Sequence, residues 1–346
     1  MLKDFVDRLY NGEELSKDEL LSLISTTDRQ EIAYLCEKAN QKKEEHFGKT
    51  VYIRGLIEFT NYCKNDCFYC GIRCSNKKTV RYRLSLQEIM DTCKIGEALG
   101  IETFVLQGGE DPYFTDTKIL EIISQIKKQY PKKALTLSLG EKSLESYQKF
   151  KNAGADRYLL RHETATCDHY RKLHPASLSL ANRIECLRNL KKLNYQTGAG
   201  MMVGSPYQTN EHLVNDLLFL KELNPQMVGI GPFIHHNDTP FKDFPDGDVT
   251  KTIQMIALAR LLLPKALIPS TTALASLPGN GRKRALLSGA NVVMPNLTPA
   301  FARENYHLYQ NKITKGEETA ESFQKLQEEI QSIGLFIDFS RGDFFN

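Results

Sequence analysis

The sequence has no long apolar run, no block of like charge and no tract rich in proline, glycine and serine. Lacking about 18 consecutive apolar residues, it offers no candidate membrane-spanning helix. Its net charge is +3 and its Lys and Arg are spread along the chain, which excludes a nucleic-acid tail and a polybasic membrane patch. The first residues, Met1-Leu2-Lys3-Asp4-Phe5, carry an early acid and no apolar core, so no signal peptide is expected and a cytoplasmic location is. Tryptophan is also absent, which excludes nothing. No repeat or linker divides the chain. What is present is 41% apolar residues over 346 positions, enough to bury a large core and to exclude wholesale disorder.

Short β-rich runs alternate with amphipathic stretches from residue 50 onward. The runs at 51–60, 103–107, 134–139, 157–161, 196–203, 227–231, 267–272 and 291–294 read as strands. The stretches at 85–99, 116–129, 143–153, 180–193, 209–223, 250–263 and 281–288 read as helices. About eight strand–helix units predict an α/β fold of the (β/α)8 TIM-barrel type rather than an open sheet. Residues 1–48 read as helices packed on that barrel, with Ser16 and Glu19 as a capping box and a second helix over 28–43. The barrel is expected over 49–312 and a C-terminal helical tail over 313–346, with a surface helix at 319–333.

Four of the eight cysteines fall within twelve residues, Cys63, Cys67, Cys70 and Cys74, directly after the first expected strand. A disulfide framework is out of place in a cytosolic chain of this size, so the group points to metal. A structural zinc site takes four ligands in two pairs, and no second CxxC or CxxH pair lies downstream. Three close thiolates can instead hold three corners of an iron–sulfur cube and leave one iron open. An open iron can take the amino and carboxylate groups of S-adenosylmethionine (SAM) and pass an electron to its sulfonium. The alternatives are incidental free thiols or a zinc loop closed by Cys74. Cys36, Cys93, Cys167 and Cys186 lie in helical stretches and read as packing.

Several strings carry a more specific resemblance: IEFTNYCKNDCFYCGIR at 57–73, VLQGGEDPY at 105–113, AGADRYLLRHET at 153–164, NYQTGAGMMVG at 194–204, MVGIGPFIHHNDTP at 227–240 and GANVVMPNLTP at 289–299. Over roughly residues 30–312 the chain resembles the HydE family of [FeFe]-hydrogenase maturases, in the biotin synthase-like branch of the radical SAM superfamily. The resemblance implies a [4Fe–4S] cluster on Cys63, Cys67 and Cys70, SAM, a low-potential electron donor and a low-oxygen setting. It implies an enzyme that forms a 5′-deoxyadenosyl radical and acts on a small organometallic or amino-acid-derived substrate. In the family that substrate is an iron carbonyl–cyanide–cysteine synthon, with the maturases HydG and HydF as partners. The alternative is another enzyme of the branch, a methylornithine synthase-like mutase or a biotin synthase. The chain departs from the family pattern twice. Gly108 stands where the family often has Ser, and no cysteine follows Cys186, so no second C-terminal cluster is expected.

The same resemblance assigns the remaining candidates. Gln107, Gly108, Gly109 and Glu110 match the segment that receives the methionine ammonium, against a plain turn with an acidic cap. Tyr69 would lie against the adenine, against loop packing. Glu163 would take the ribose hydroxyls and Arg183 the SAM carboxylate, against a surface ion pair of little worth. Arg161 and Met202, at strand ends, and Ile230, in a weak GxG, complete the cofactor set. Thr271, Thr272, Met294, Tyr306 and His307 match or neighbour the family's substrate cavity, against ordinary core packing for Met294. His235 and His236 are adjacent on extended chain, so their rings diverge and a loop role is expected. The cysteines of a second biotin synthase-type cluster are missing at the strand ends Gln107, Ser138 and Met202, and Arg260 lies in a string similar to that enzyme's.

Overall fold

The computed structural model describes residues 2–314 and 322–345. Three helices open the chain: α1 (Leu2–Tyr10), α2 (Lys17–Ser25) and α3 (Arg29–Phe47). The capping box at α2 is in place. The Ser16 hydroxyl accepts the Glu19 N–H, and the Glu19 carboxylate accepts the Ser16 N–H at 2.7 Å. Such a cap stabilises a helix start by about 1 kcal/mol. α3 runs to Phe47 and stops at Gly48, whose φ of 58° suits glycine. These helices are tied to the barrel that follows, since buried Lys43 donates to the Leu286 carbonyl at 2.7 Å and Gln254 to that of Leu23 at 2.6 Å.

The first stave is broken at Arg54 into β1 (Thr50–Ile53) and β2 (Gly55–Thr60). Then come α4 (Leu86–Ala98), β3 (Thr103–Gly108), α5 (Asp116–Gln129), β4 (Ala134–Ser138), α6 (Leu144–Asn152), β5 (Arg157–Leu159), α7 (Cys167–Leu173), α8 (Leu180–Lys192), β6 (Gln196–Val203), α9 (Asn210–Leu223), β7 (Met227–Pro232) and α10 (Val249–Leu262). Each of β2 to β7 pairs in parallel with the next. Every residue of β2 is buried, as both faces of a barrel stave are, which is why the run lacks alternation.

The ring closes through weaker joints. Leu267 bridges Met227, Pro269 bridges Val292 in β8 (Val292–Val293), and Asn296 bridges Leu56. The expected strand at 267–272 is therefore only a bridged segment. Pro269 has no N–H for a ladder, and Thr271 already caps α11 (Thr272–Ser276). α12 (Gly281–Leu286) precedes β8 and α13 (Ala300–Arg303) follows it. The expected strand at 157–161 stops at Leu159, and Glu163, with φ 66°, rejoins β6 by one bridge to Met201.

The tail differs from the expected surface helix. α14 (Phe323–Ser332) buries Phe323, Leu326 and Ile330, and the first three residues of the expected helix at 319–333 lie outside the described residues. The chain then forms β9 (Phe336–Asp338), parallel to β1, and crosses under the barrel floor. There buried Arg157 donates to the Arg341 and Gly342 carbonyls at 2.7 and 3.1 Å and to the Asp343 carboxylate at 2.7 Å. Arg54 reaches the Gly342 carbonyl at 3.4 Å. Among the described residues no helix is long and apolar enough to cross a membrane.

Candidate active site

The cysteine loop leaves β2 at Asn61 and returns at Arg83, which bridges Thr60. It has no helix or strand, so its backbone polar groups are met by side chains. Asn61 donates to the carbonyls of Val80 and Asn305, both at 2.8 Å. The Arg81 guanidinium gathers the carbonyls of Ile72, Arg73 and Asn76 at 2.8, 2.7 and 3.1 Å. Arg73 pairs with Asp66 at 2.7 Å. A side chain at Gly71 would meet the His307 carbonyl at 2.2 Å, so only glycine fits there.

Cys63, Cys67 and Cys70 line one cavity at the C-terminal ends of the strands, about 290 Å³ in volume. Burial raises all three thiols, Cys67 well above its ordinary value and Cys70 to about 12. Their mutual repulsion as thiolates adds to this, so the three lie within electrostatic reach of one another. Among the described residues no group of three or more His, Cys, Asp or Glu closes on a point as a single ion requires. A cube asks for something else, thiolates spread over separate irons. Cys74 is half-buried, gives its N–H to the Asn65 carbonyl at 3.0 Å and does not line the cavity.

The end of β3 packs on this loop. A Cβ at Gly109 would lie 2.2 Å from the Tyr62 carbonyl and 2.8 Å from the Cys63 Cβ, and one at Gly108 2.7 Å from the Thr60 methyl. A serine at 108 would need Thr60 to shift, so the departure at this position has a local cause. Gln107, Gly108, Gly109 and Glu110 all face the cavity. The Glu110 carboxylate accepts the Glu141 N–H at 3.0 Å and lies 3.4 Å from the Lys64 ammonium.

Arg183 on α8 donates to Glu141 at 2.6 Å and to the Arg161 carbonyl at 3.0 Å. The pair is buried, with side chains 9% and 12% exposed, and is no surface ion pair. Burial works against the Arg183 charge, yet Tyr170, Glu141 and Tyr69 more than reverse it and raise its pKa. Arg161 pairs with Glu163 at 2.7 Å, while its buried Nε has no partner. Glu163 itself holds a left-handed backbone, a strain found mostly where function or tight packing demands it. All four side chains except Glu141 were expected here from the sequence. Glu141 closes the string TLSLGE at the end of β4, the signal that could have found it.

Tyr69 is fixed by the C-terminal end of α7, the helix that begins at Cys167, one of the cysteines placed in helical stretches. His174 Nδ1 lies 3.0 Å from the Tyr170 carbonyl, which makes Nδ1 the donor and leaves Nε2 to accept from the Tyr69 hydroxyl at 3.2 Å. Burial lowers His174 to about 3, so the ring stays neutral. Met202 lines the cavity, but Ile230 is wholly buried in the core and does not; Pro232, Phe233 and Ile234 line it further along the chain.

Of the deeper candidates, only Tyr306 lines this cavity, with its hydroxyl 3.5 Å from Gln107 Nε2. Thr271 caps α11 and Thr272 begins it, and Ala273 faces the cavity instead. Met294 packs with Tyr52, Met227, Leu267 and Val292, the core role weighed for it. The His307 carbonyl packs against Gly71, whose N–H goes to the Leu308 carbonyl at 2.8 Å. His235 and His236 do diverge, His235 to Asp246 at 2.7 Å and His236 beside Gly71. Leu308 and Tyr309, also in the lining, come from chain that returns over the barrel mouth, for which the sequence holds no signal. Cys93 and Cys186 are buried as expected, but Cys167 is exposed at the start of α7.

The model of the radical SAM superfamily matches residues 57–220. The [FeFe] hydrogenase maturase subunit HydE of Thermotoga maritima is 46% identical over 321 residues, 93% of this chain and 91% of that one. The chain belongs to the HydE family of radical SAM enzymes. A 3-methylornithine synthase of Methanosarcina acetivorans, 30% identical over 84% of this chain and 82% of its own, is a more distant relative of this HydE-family chain. The crystal structure of a methylornithine synthase superposes with a TM-score of 0.87 over 98% of each chain at 26% identity, which supports the barrel.

A HydE-family chain is a radical SAM enzyme, and such enzymes take a [4Fe–4S] cluster and SAM. The three cysteines on a shared cavity and the carboxylates and guanidinium beside them fit that pair of groups. Sulfur insertion of the biotin synthase kind finds no support. Among the described residues no fourth cysteine lines the cavity, and Arg260 is turned to the Gly289 and Pro264 carbonyls, both at 2.8 Å, outside it.

Proposed function

We propose that this chain acts in [FeFe]-hydrogenase maturation, at the assembly of the diiron subcluster. The observation that carries this reading is the 46% identity to HydE over nearly the full length of both chains. In this reading Cys63, Cys67 and Cys70 hold the cluster and no second cluster is present, as no cysteine follows Cys186. When bound, the cluster supplies one electron to the SAM sulfonium, releasing methionine and a 5′-deoxyadenosyl radical.

The chain's own residues bind and orient. Glu110 and the backbone of Gly108 and Gly109 receive the methionine ammonium, supported by the close approach that only glycine permits there. Arg183, already held by Glu141, turns its remaining donors to the SAM carboxylate. Glu163 takes the ribose hydroxyls, with Arg161 fixing its carboxylate. Tyr69, locked by His174, and Met202 flank the nucleoside. Tyr306 and Gln107 mark the substrate side. The substrate is a small organometallic or amino-acid-derived molecule, the iron carbonyl–cyanide–cysteine synthon, received from HydG and passed toward HydF. An oxygen-sensitive cluster fits a low-oxygen cytoplasm. In this reading 1–48 and 313–346 flank a barrel of 49–312, and the described parts of both flanks, 2–48, 313–314 and 322–345, brace it.

The test is anaerobic reconstitution followed by maturation of apo-hydrogenase in an extract that supplies HydF and HydG but no HydE. Hydrogenase activity that depends on added protein and SAM is expected. SAM cleavage without maturation, and with formation of 3-methylornithine, would replace this reading by the mutase, which the 0.87 TM-score favours as the second candidate.

A further inference from the structure

We propose that His162 is a positioning residue, which builds the backbone bulge that turns Glu163 into the cavity. This rests on Glu163 receiving the ribose hydroxyls, as proposed above. Leu159 on β5 pairs with Gly198 on β6, and Glu163 pairs next with Met201. The β5 side therefore uses one residue more than β6 between the two pairings, which defines a bulge. Backbone bonds bracket it. The Leu160 N–H goes to the Gly198 carbonyl at 2.9 Å and the Glu163 N–H to that of Gly200 at 3.0 Å. Between them stands the Gly200 N–H, which an unbroken ladder would give to a backbone carbonyl. It goes instead to Nδ1 of the His162 ring at 3.3 Å.

The back of the same turn is held by α9. His162 and Asp216 are both wholly buried. With Nδ1 accepting, the ring carries its proton on Nε2, 3.4 Å from the Asp216 carboxylate. Asp216 also accepts the Ala165 N–H, and the Phe219 ring meets that of His162 edge-on at 4.8 Å. At the front, Arg183 donates to the Arg161 carbonyl at 3.0 Å, and the Arg161 guanidinium holds the Glu163 carboxylate at 2.7 Å. Arg161 and Glu163 line the cavity and His162 between them does not, so His162 acts only through its neighbours. Without its acceptor the buried Gly200 N–H is left unpaired, and closing the bulge would repair that loss. Closure slips the chain by one residue, which turns Glu163 to the opposite face. It also relieves the left-handed backbone at Glu163, φ 66°, so the bulge persists only while the ring holds it open.

The full-length reconstituted protein is titrated calorimetrically with SAM and with 2′-deoxy-SAM, and iron is counted in every variant. Wild type should bind SAM about tenfold more tightly than the analogue, which lacks one ribose hydroxyl. His162→Leu offers Gly200 no acceptor. It should lose about tenfold in affinity for SAM and less than about twofold for the analogue. His162→Gln should behave alike, because its amide reaches the Nε2 position and not that of Nδ1, and it serves if the leucine variant does not fold. His162→Asn is the rescue. Its Oδ1 stands where Nδ1 stood, and the preference for SAM should return to within about threefold of wild type. A leucine or glutamine variant that keeps the preference, or that loses affinity equally for both ligands, overturns the proposal. So does an asparagine variant that fails to restore it. Wild type without a preference removes the ribose role of Glu163, and the positioning role with it, while the maturation reading stands or falls by its own assay.

Discussion

Substituting Gly140 by alanine should weaken SAM binding without removing iron. Gly140 has φ 74°, and a Cβ placed on it would lie 2.1–2.3 Å from three atoms of the Glu110 side chain. Two costs follow. Forcing an L-residue into this backbone region costs about 1–2 kcal/mol of stability. The clash turns the Glu110 carboxylate away from the Glu141 N–H, which it now accepts at 3.0 Å, and from the position proposed for the ammonium. A charge-assisted hydrogen bond is worth about 1.5–3 kcal/mol. At 1.4 kcal/mol per factor of ten, SAM affinity should fall roughly tenfold to a hundredfold. Gly12→Ala is the control. Its φ is 84° with nothing within 4 Å, so it carries the backbone cost alone. Calorimetric titration of SAM onto both reconstituted variants, with iron counted in each, separates the effects. If Gly140→Ala binds SAM within about twofold of wild type, or if Gly12→Ala loses as much, the role given to Glu110 is wrong.

Cys74→Ser should keep its iron content and its rate of SAM cleavage, whereas Cys70→Ser should lose both; an iron assay of the two purified variants decides. Asp343→Asn removes the carboxylate that Arg157 and Arg341 share at 2.7 and 2.8 Å and should cost about 2–3 kcal/mol in a urea melt. A midpoint unmoved by that change would show that this carboxylate contributes nothing to stability. His174 should make the fold acid-sensitive. Unfolded, it takes a proton below about 6.5; folded, it resists until about 3. Stability is therefore lost as pH falls from 6.5 toward 3, by about 2 kcal/mol at pH 5 from this residue. Urea midpoints at pH 7.5 and 5.0 for wild type and His174→Gln should show a smaller difference in the variant.

Much of the barrel was legible because its strands and helices are written in local periodicity and its helix starts in local caps. Ser16 caps where the pattern places it, and Asp28 and Ser85 prove to cap the helices expected from 28 and 85. The cysteine spacing was legible for the same reason, since three thiols within eight residues must be neighbours in any fold. Strand ends were legible as site positions because a barrel gathers them at one rim. That logic agrees with the resemblance, which named Gln107, Glu110, Arg161 and Met202, and all four line the cavity.

What the sequence could not decide is which side chains meet over long separations. Nothing local says that Glu141 will pair with Arg183, or that His174 will lock Tyr69 across 105 positions. Nor does it say that residues 336–343 will run under the floor to neutralise Arg157. The resemblance put Ile230, Thr272 and Met294 near the site, but Ile230 is buried in the core, Thr272 begins α11 and Met294 takes the core role weighed for it. Helix period and metal spacing are properties of a few consecutive bonds, and sequence alone determines them. The partner of a buried charge is settled only when distant segments compete to satisfy it as water is excluded, and that is a decision of the tertiary structure.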